Sequence, residues 1–182
     1  MGDAINESAI VIPVPEAEDL VGGWRVSLDP GCVRGVPAHV TLLYPFAPPS
    51  AIDDDVLGVL AQLFSDVEPF AFSFNSVAWF NEIVLYLEPS PDKWFRDMTS
   101  RLRDRFPDFP PYGGKVLDPT PHLTIGDGAP LDQLREAGEA VAKGLPLRVR
   151  STKAWLMTGG SAPNSWTLRS TFVLGSASPL ES

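Results

Sequence analysis

Residues 37–46, PAHVTLLYPF, set His39 and Thr41 two positions apart between apolar neighbours, and residues 120–126, TPHLTIG, do the same with His122 and Thr124. The chain has 2 histidines, and both stand in this His-apolar-Thr-apolar frame. With 8 threonines in 182 positions, a given residue precedes a threonine by two places with probability about 0.04, and both histidines do so with probability roughly 0.002. Coincidence is a poor account of the pair. In a strand the side-chain period is two, so the histidine and threonine of each motif project from one face.

Outward from each motif, the same order of elements recurs. Before the first lie a short apolar run at 9–14, AIVIPV, which predicts a strand, and a helix opened by Pro15 that Gly22 and Gly23 weaken. The motif strand ends at Pro45, and a helix over 53–67 follows, with Val56, Leu60, Leu63 and Val67 at helical spacing. Phe70, Phe72 and Phe74 then alternate in a strand over 70–80. The second round begins with the strand IVLYLE at 83–88. Ser90 and Pro91 next suggest the N-cap and first turn of a helix carrying Trp94, Met98, Leu102 and Phe106 on one side. A Pro/Gly-rich loop leads to HLTI, a helix over 130–145, and strands over 145–157 and 165–174.

This order predicts one domain over 1–182 built as a degenerate duplication, with pseudo-repeats near 9–80 and 81–175 and frayed ends at 1–8 and 176–182. The fold class is α+β, with two antiparallel sheets side by side.

Composition narrows the function. An apolar fraction of 44% over 182 residues supports a real core and excludes a disordered tail. One cysteine, Cys32, excludes an internal disulfide and a zinc framework, so no metal or cofactor is expected. The start of the chain carries neither a basic, apolar leader nor a membrane span, which makes the cytoplasm the expected location. A net charge of -9 opposes binding to long nucleic acid.

Two imidazoles and two hydroxyls on facing strands have a definite chemical use. One neutral ring serves as general base and the other, protonated, as general acid, while hydroxyls donate to oxygens on which charge develops. In-line displacement at phosphorus needs a base on the attacking side and an acid on the leaving side. The bland alternative is a pair of half-buried strand histidines satisfied by local hydrogen bonds.

At this point the sequence resembles a known family. HVTL at 39–42 and HLTI at 122–125, about half the chain apart, look like the paired signature of the two-histidine phosphoesterase superfamily. PAHVTLLYPF followed by a helix is most similar to its bacterial 2'-5' RNA ligase-like and cyclic phosphodiesterase branch. The resemblance implies two pseudo-symmetric lobes, each an antiparallel sheet with helices on its outer side, around a central cleft. It implies His39 and His122 as the catalytic pair and Thr41 and Thr124 as phosphate ligands, working without metal. The reactions it implies open 2',3'-cyclic phosphates, cleave 2'-5' or 3'-5' phosphodiester linkages in RNA, or reverse such cleavage. Members acting on tRNA-like RNA are expected to offer basic surface, whereas this chain is acidic. A nucleotide, a cyclic phosphate or a short RNA is therefore the expected partner.

Other residues are candidates by position. Arg34 and Lys115 lie on loops entering the motif strands, where a cation could neutralise phosphate. Tyr44 and Trp79, with Phe46 and Phe80 as further aromatics, could stack on a base. Asp118 and Asp127 bracket the second motif and fit either orientation of His122 or turn formation. Arg148, Arg150 and Arg169 alternate along strands and could face cleft or solvent. A second function class is a catalytically idle module that binds a nucleotide in the same cleft; a third is a plain protein-interaction domain.

Overall fold

The computed structural model describes residues 4–176. Strand β1 (Glu7–Pro13) is followed by α1 (Glu18–Leu28), the short α2 (Pro30–Val33), β2 (His39–Leu43), α3 (Asp54–Ser65) and β3 (Phe70–Phe80). Then come β4 (Val84–Ser90), α4 (Lys93–Arg105), β5 (Leu123–Asp127), α5 (Leu131–Ala142), β6 (Leu147–Ser151), β7 (Lys153–Gly159) and β8 (Thr167–Val173). They form two four-stranded sheets, ordered β2-β1-β7-β8 and β5-β4-β3-β6, antiparallel throughout. The α+β architecture with two antiparallel sheets is the one expected.

The chain does not fill the sheets half by half. β3, the third strand of the first round, pairs with β4 in the second sheet, and β7, from the second round, pairs with β1 in the first. The first helix of each round crosses over as well: α1 lies against β5, and α4 against β2. Each lobe is thus sealed by elements from the other half of the sequence. One connected core of side chains, from Ile10, Ile12 and Leu156 of the first sheet to Phe72, Leu85 and Leu123 of the second, runs beneath both.

Individual elements follow their sequences. β1 is buried on both faces, as a central strand must be, and so carries a continuous apolar run over 9–13. At α3 the Asp53 carboxylate accepts the Val56 N–H at 2.9 Å, and Phe64 stacks on Phe172 of β8 at 5.5 Å. In α5, Leu134, Ala137, Gly138 and Val141 form the buried stripe.

Two local expectations are corrected. Ser90 does not cap α4: it closes β4, held in register with Ser73, so the helix starts later with Asp92 as its N-cap residue. Its fully buried face is Phe95, Met98 and Leu102, and Trp94 and Phe106 are only partly buried at its margin. The expected strand over 145–157 is two strands in different sheets, because the chain passes from one sheet to the other at Thr152.

Phe95 carries the contact between α4 and the second sheet, meeting Phe70 and Phe72 edge-on at 5.4 and 5.0 Å. Phe95→Ala is expected to lower stability by about 3–5 kcal/mol with an unchanged denaturant slope, measured by urea unfolding.

Candidate active site

Both motif strands carry the same irregularity. Val11 pairs with Thr41 and Ile10 with Leu43, so Leu42 is an extra residue; Tyr86 pairs with Thr124 and Leu85 with Gly126, so Ile125 is extra. Each bulge directly follows the threonine of its motif. It lets two successive residues turn into the core and returns the next one to the face of the histidine and threonine. Tyr44 reaches the His39 side in this way, and Asp127 comes to the corresponding place near His122. Gly126 is required where it stands, since a Cβ there would lie 2.5 Å from Leu134 Cδ2 and 2.9 Å from Leu28 Cβ.

β2 and β5 are edge strands that approach one another where the two sheets meet. This brings the two motifs together at the junction. His39 Nδ1 lies 2.7 Å from the Pro37 carbonyl oxygen, and His122 Nδ1 lies 2.7 Å from that of Thr120. A carbonyl only accepts, so in both neutral rings Nδ1 carries the proton and Nε2 keeps its lone pair. The sequence motif is thereby converted into two rings of the same tautomer.

The loops that present those carbonyls are held by arginines in related places but in different surroundings. Ahead of His39, Arg25 is 1% exposed; it donates to Asp29 Oδ2 through Nε at 3.0 Å and Nη2 at 2.7 Å, and to the Val36 carbonyl at 3.0 Å. Asp29 Oδ1 accepts the Gly31 N–H at 2.8 Å, and Glu18 Oε1 accepts the Ala38 N–H at 2.6 Å. Ahead of His122, Arg96 bridges Asp92 and Asp118, but there the Asp118 side chain is 83% exposed. The first histidine stands on a buried ionic framework and the second on a solvated one.

Electrostatics separate the rings further. Burial pushes the His39 imidazole down to about 4, partly offset by its bond to Pro37, with the Arg25 charge adding to the depression. Burial also lowers His122, opposed by the bond to Thr120 and by the Asp127 carboxylate. Burial, with Asp29 nearby, raises the Asp127 carboxyl. Tyr44 is raised to about 12 by burial and by its 2.5 Å bond to Glu7, and so stays a donor that fixes the ring in the wall.

Around His39 and Thr41 lies a cavity of about 170 Å³, bordered by Arg34 and Tyr44 on the polar side and by Val11, Val36, Met157 and Trp166 on the apolar side. Of the residues singled out in the sequence, Arg34, His39, Thr41 and Tyr44 converge there. On the second lobe, His122 is met edge-on by Phe80 at 5.2 Å and Tyr86 at 5.5 Å, and those two rings stack at 4.1 Å. Trp79 is not part of this group. It pairs with Leu85 and turns towards Gly138 of α5, one residue out of phase with Phe80. Lys115 is exposed, following the turn Pro111–Gly114, and does not border the cavity. Phe46 is core, edge-on to Phe106 and Phe109. Tyr86, Met157 and Trp166 were not singled out. The alternation in VLYLE puts Tyr86 opposite the core-facing Leu85 and Leu87, but only strand pairing sets it beside Thr124.

Among the described residues no group of three or more His, Cys, Asp or Glu side chains is placed to hold a metal ion, and no helix is long and apolar enough to cross a membrane.

The sequence model of the family described as the 2'-5' RNA ligase superfamily matches residues 13–162, a span that includes both motifs. No curated protein matches the sequence. Among solved structures, E. coli LigT complexed with ATP superposes with a TM-score of 0.60 at 19% identity, covering 94% of this chain and 99% of that one. LigT complexed with 3'-AMP gives 0.57 at 18%, with the same coverage. The TT0787 protein of Thermus thermophilus gives 0.60 at 17%, covering 93% and 98%. These likenesses establish the fold.

Two outcomes follow from the framework around His39. Arg25→Met, which strands Asp29 in the interior, is expected to cost about 3–5 kcal/mol in urea unfolding. Because the folded His39 binds its proton only near pH 4 while the unfolded ring binds it near 6.5, the unfolded chain holds more protons between those values. Stability therefore falls as pH drops through this window, by on the order of 3 kcal/mol from His39 by pH 4. Thermal melts from pH 7 to 4.5 should show a shallower decline for His39→Gln than for the parent.

Proposed function

Because the chain belongs to the 2'-5' RNA ligase superfamily, we propose that it is a metal-independent phosphoesterase acting on a 2',3'-cyclic phosphate or a phosphodiester of a nucleotide or short RNA. The observation that carries this reading is the matched pair of rings, each with Nδ1 bound to a carbonyl at 2.7 Å and Nε2 left without a hydrogen-bond partner among the described residues, on two strands that meet. LigT, of the same fold, has been solved with 3'-AMP, ATP and NADP+, which favours a nucleotide for this cleft also.

In this mechanism the phosphate sits between the rings, with the Thr41 and Thr124 hydroxyls donating to its non-bridging oxygens and Arg34 balancing its charge. His39, the more strongly depressed ring, is neutral and its Nε2 takes a proton from the attacking water. The new P–O bond forms as the bond to one ribose oxygen breaks. His122 is lowered by burial, an effect that Asp127 opposes and the bound anion counters, and it gives its proton to that oxygen from Nε2. Exchange of one proton between the rings through solvent restores the starting state. The apolar wall of Val36, Met157 and Trp166 and the Phe80–Tyr86 stack offer surfaces for base and ribose.

Phosphorus NMR of 2',3'-cyclic nucleotides and 2'-5' dinucleotides tests the reading directly. Turnover is expected with EDTA present, with a loss of about 10²–10⁴-fold in each single His→Ala variant. Equal turnover by the His39→Ala, His122→Ala double variant would overturn it.

A further inference from the structure

The face of the second sheet that bears Thr124 extends well beyond the catalytic pair, and strand register traces it. Thr124 pairs with Tyr86, and on β4 Glu88 and Ser90 continue the face of Tyr86. Ser90 pairs with Ser73 of β3, and Ser73 pairs with Arg148 of β6; one step further, Ala71 pairs with Arg150. Leu147, Val149 and Ser151 take the core side of β6, so both arginines stand on the side of Thr124.

The helices packed on β3 and β5 lie on the opposite, core-facing side: α5 against Leu85 and Trp79, and α1 and α5 against Gly126. Small residues floor the far end of the exposed face. Ala71, Ser73 and Ser90 leave an open trough of about 460 Å³ with Arg148 and Arg150 along it.

Two features of this trough go against the character of the chain. In a protein of net charge -9, it sets two guanidinium groups on alternate positions of one strand. The ion pairs among the described residues engage Arg25, Arg96 and Arg135, and neither Arg148 nor Arg150 has a carboxylate partner. The Ser73 hydroxyl, within reach of Asn75 and the Ser90 carbonyl, adds a neutral donor and acceptor. Glu88 is the carboxylate on the β4 side of the path and is exposed.

We propose that Arg148 and Arg150 form a backbone subsite for a short single-stranded RNA, contacting phosphodiesters upstream of the phosphate held by His39 and His122. The proposal rests on the phosphoesterase reading above. At about 3.4 Å per residue along a strand and 4.8 Å between strands, the Arg148 backbone is about 17 Å from that of Tyr86. An arginine side chain closes part of that gap, so a single strand of a few nucleotides spans it. The acidic remainder of the surface limits the length of RNA accepted, so the enzyme would prefer an oligonucleotide end to either a mononucleotide or a long RNA. The competing role of these arginines is to guard the exposed edge of β6 against pairing with another sheet.

Charge reversal separates the two roles, since glutamate also guards an edge but repels phosphate. Binding of a fluorescent pentaribonucleotide ending in a 3'-phosphate is measured by anisotropy across a salt series, for the parent and for the Arg148→Glu, Arg150→Glu double variant, with 3'-AMP as the short ligand. The variant is expected to bind the pentanucleotide at least about tenfold more weakly at low salt. Its dependence of log affinity on log salt should be shallower by about 1.4, the contribution of two single-strand phosphate contacts, with 3'-AMP affinity unchanged. Equal affinity for the pentanucleotide in both proteins, or a parallel loss for 3'-AMP, overturns the subsite. Turnover of the matching 2',3'-cyclic substrates is followed beside it: a parent that binds with the expected difference but hydrolyses neither would leave the subsite standing and overturn the phosphoesterase reading.

Discussion

Everything at the candidate site depends on the junction of two edge strands. An edge normally exposes unpaired backbone groups and needs protection. Here β2 and β5 bring their edges together where the two sheets meet. The helix that covers each edge strand comes from the opposite half of the chain, α4 over β2 and α1 over β5. β3 of the first half and β7 and β8 of the second are exchanged between the sheets as well. The lobes therefore cannot form independently of one another, and the relative position of the two histidines is set by the shared core and not by a flexible linker.

Within that frame the two halves are chemically unequal. The bulge after each threonine is common to both, as is the bond from each Nδ1 to the carbonyl two residues earlier. What differs is the support. A buried Arg25–Asp29 pair fixes the approach to His39, whereas Arg96 and Asp118 hold the approach to His122 in contact with solvent. The residue delivered by the bulge is a tyrosine on one side and an aspartate on the other. A neutral ring beside a cation and a ring beside a carboxylate are suited to opposite halves of a proton transfer.

The apolar wall beside His39, the aromatic stack beside His122 and the arginine-lined trough on β6 divide the surface around the two motifs by chemistry. Each uses the faces of the sheets that the core leaves free. The acidic charge of the chain as a whole is compatible with a phosphate ligand because the relevant cations are local: Arg34 lies at the cavity and Arg148 and Arg150 farther along the same sheet as Thr124. Net charge describes long-range attraction, while a side chain at contact distance acts through a much weaker screen.

Much of this was legible in the residues. Period-two and helical spacings marked nearly every element, and the repeated His-x-Thr frame identified four of the side chains at the junction, because strand periodicity ties spacing to facing. The aromatic partner was not legible: Trp79 and Phe80 are adjacent in the sequence but point to opposite faces, and the phase of β3 depends on a register shift between Phe74 and Val77 that only pairing with β4 defines. Ser90 likewise has the composition of a helix cap, yet its pairing with Ser73 keeps it in a strand. The exchange of β3 and β7 left no local trace, since a strand's own pattern records that it has a buried face and not which sheet supplies the cover. The sequence by itself determined the chemistry available, two imidazoles and two hydroxyls in matched frames. The tertiary structure decided which tautomer they hold, which neighbours bias their protons and which aromatic and basic groups share their surface, because those properties arise from contacts between segments distant in the chain.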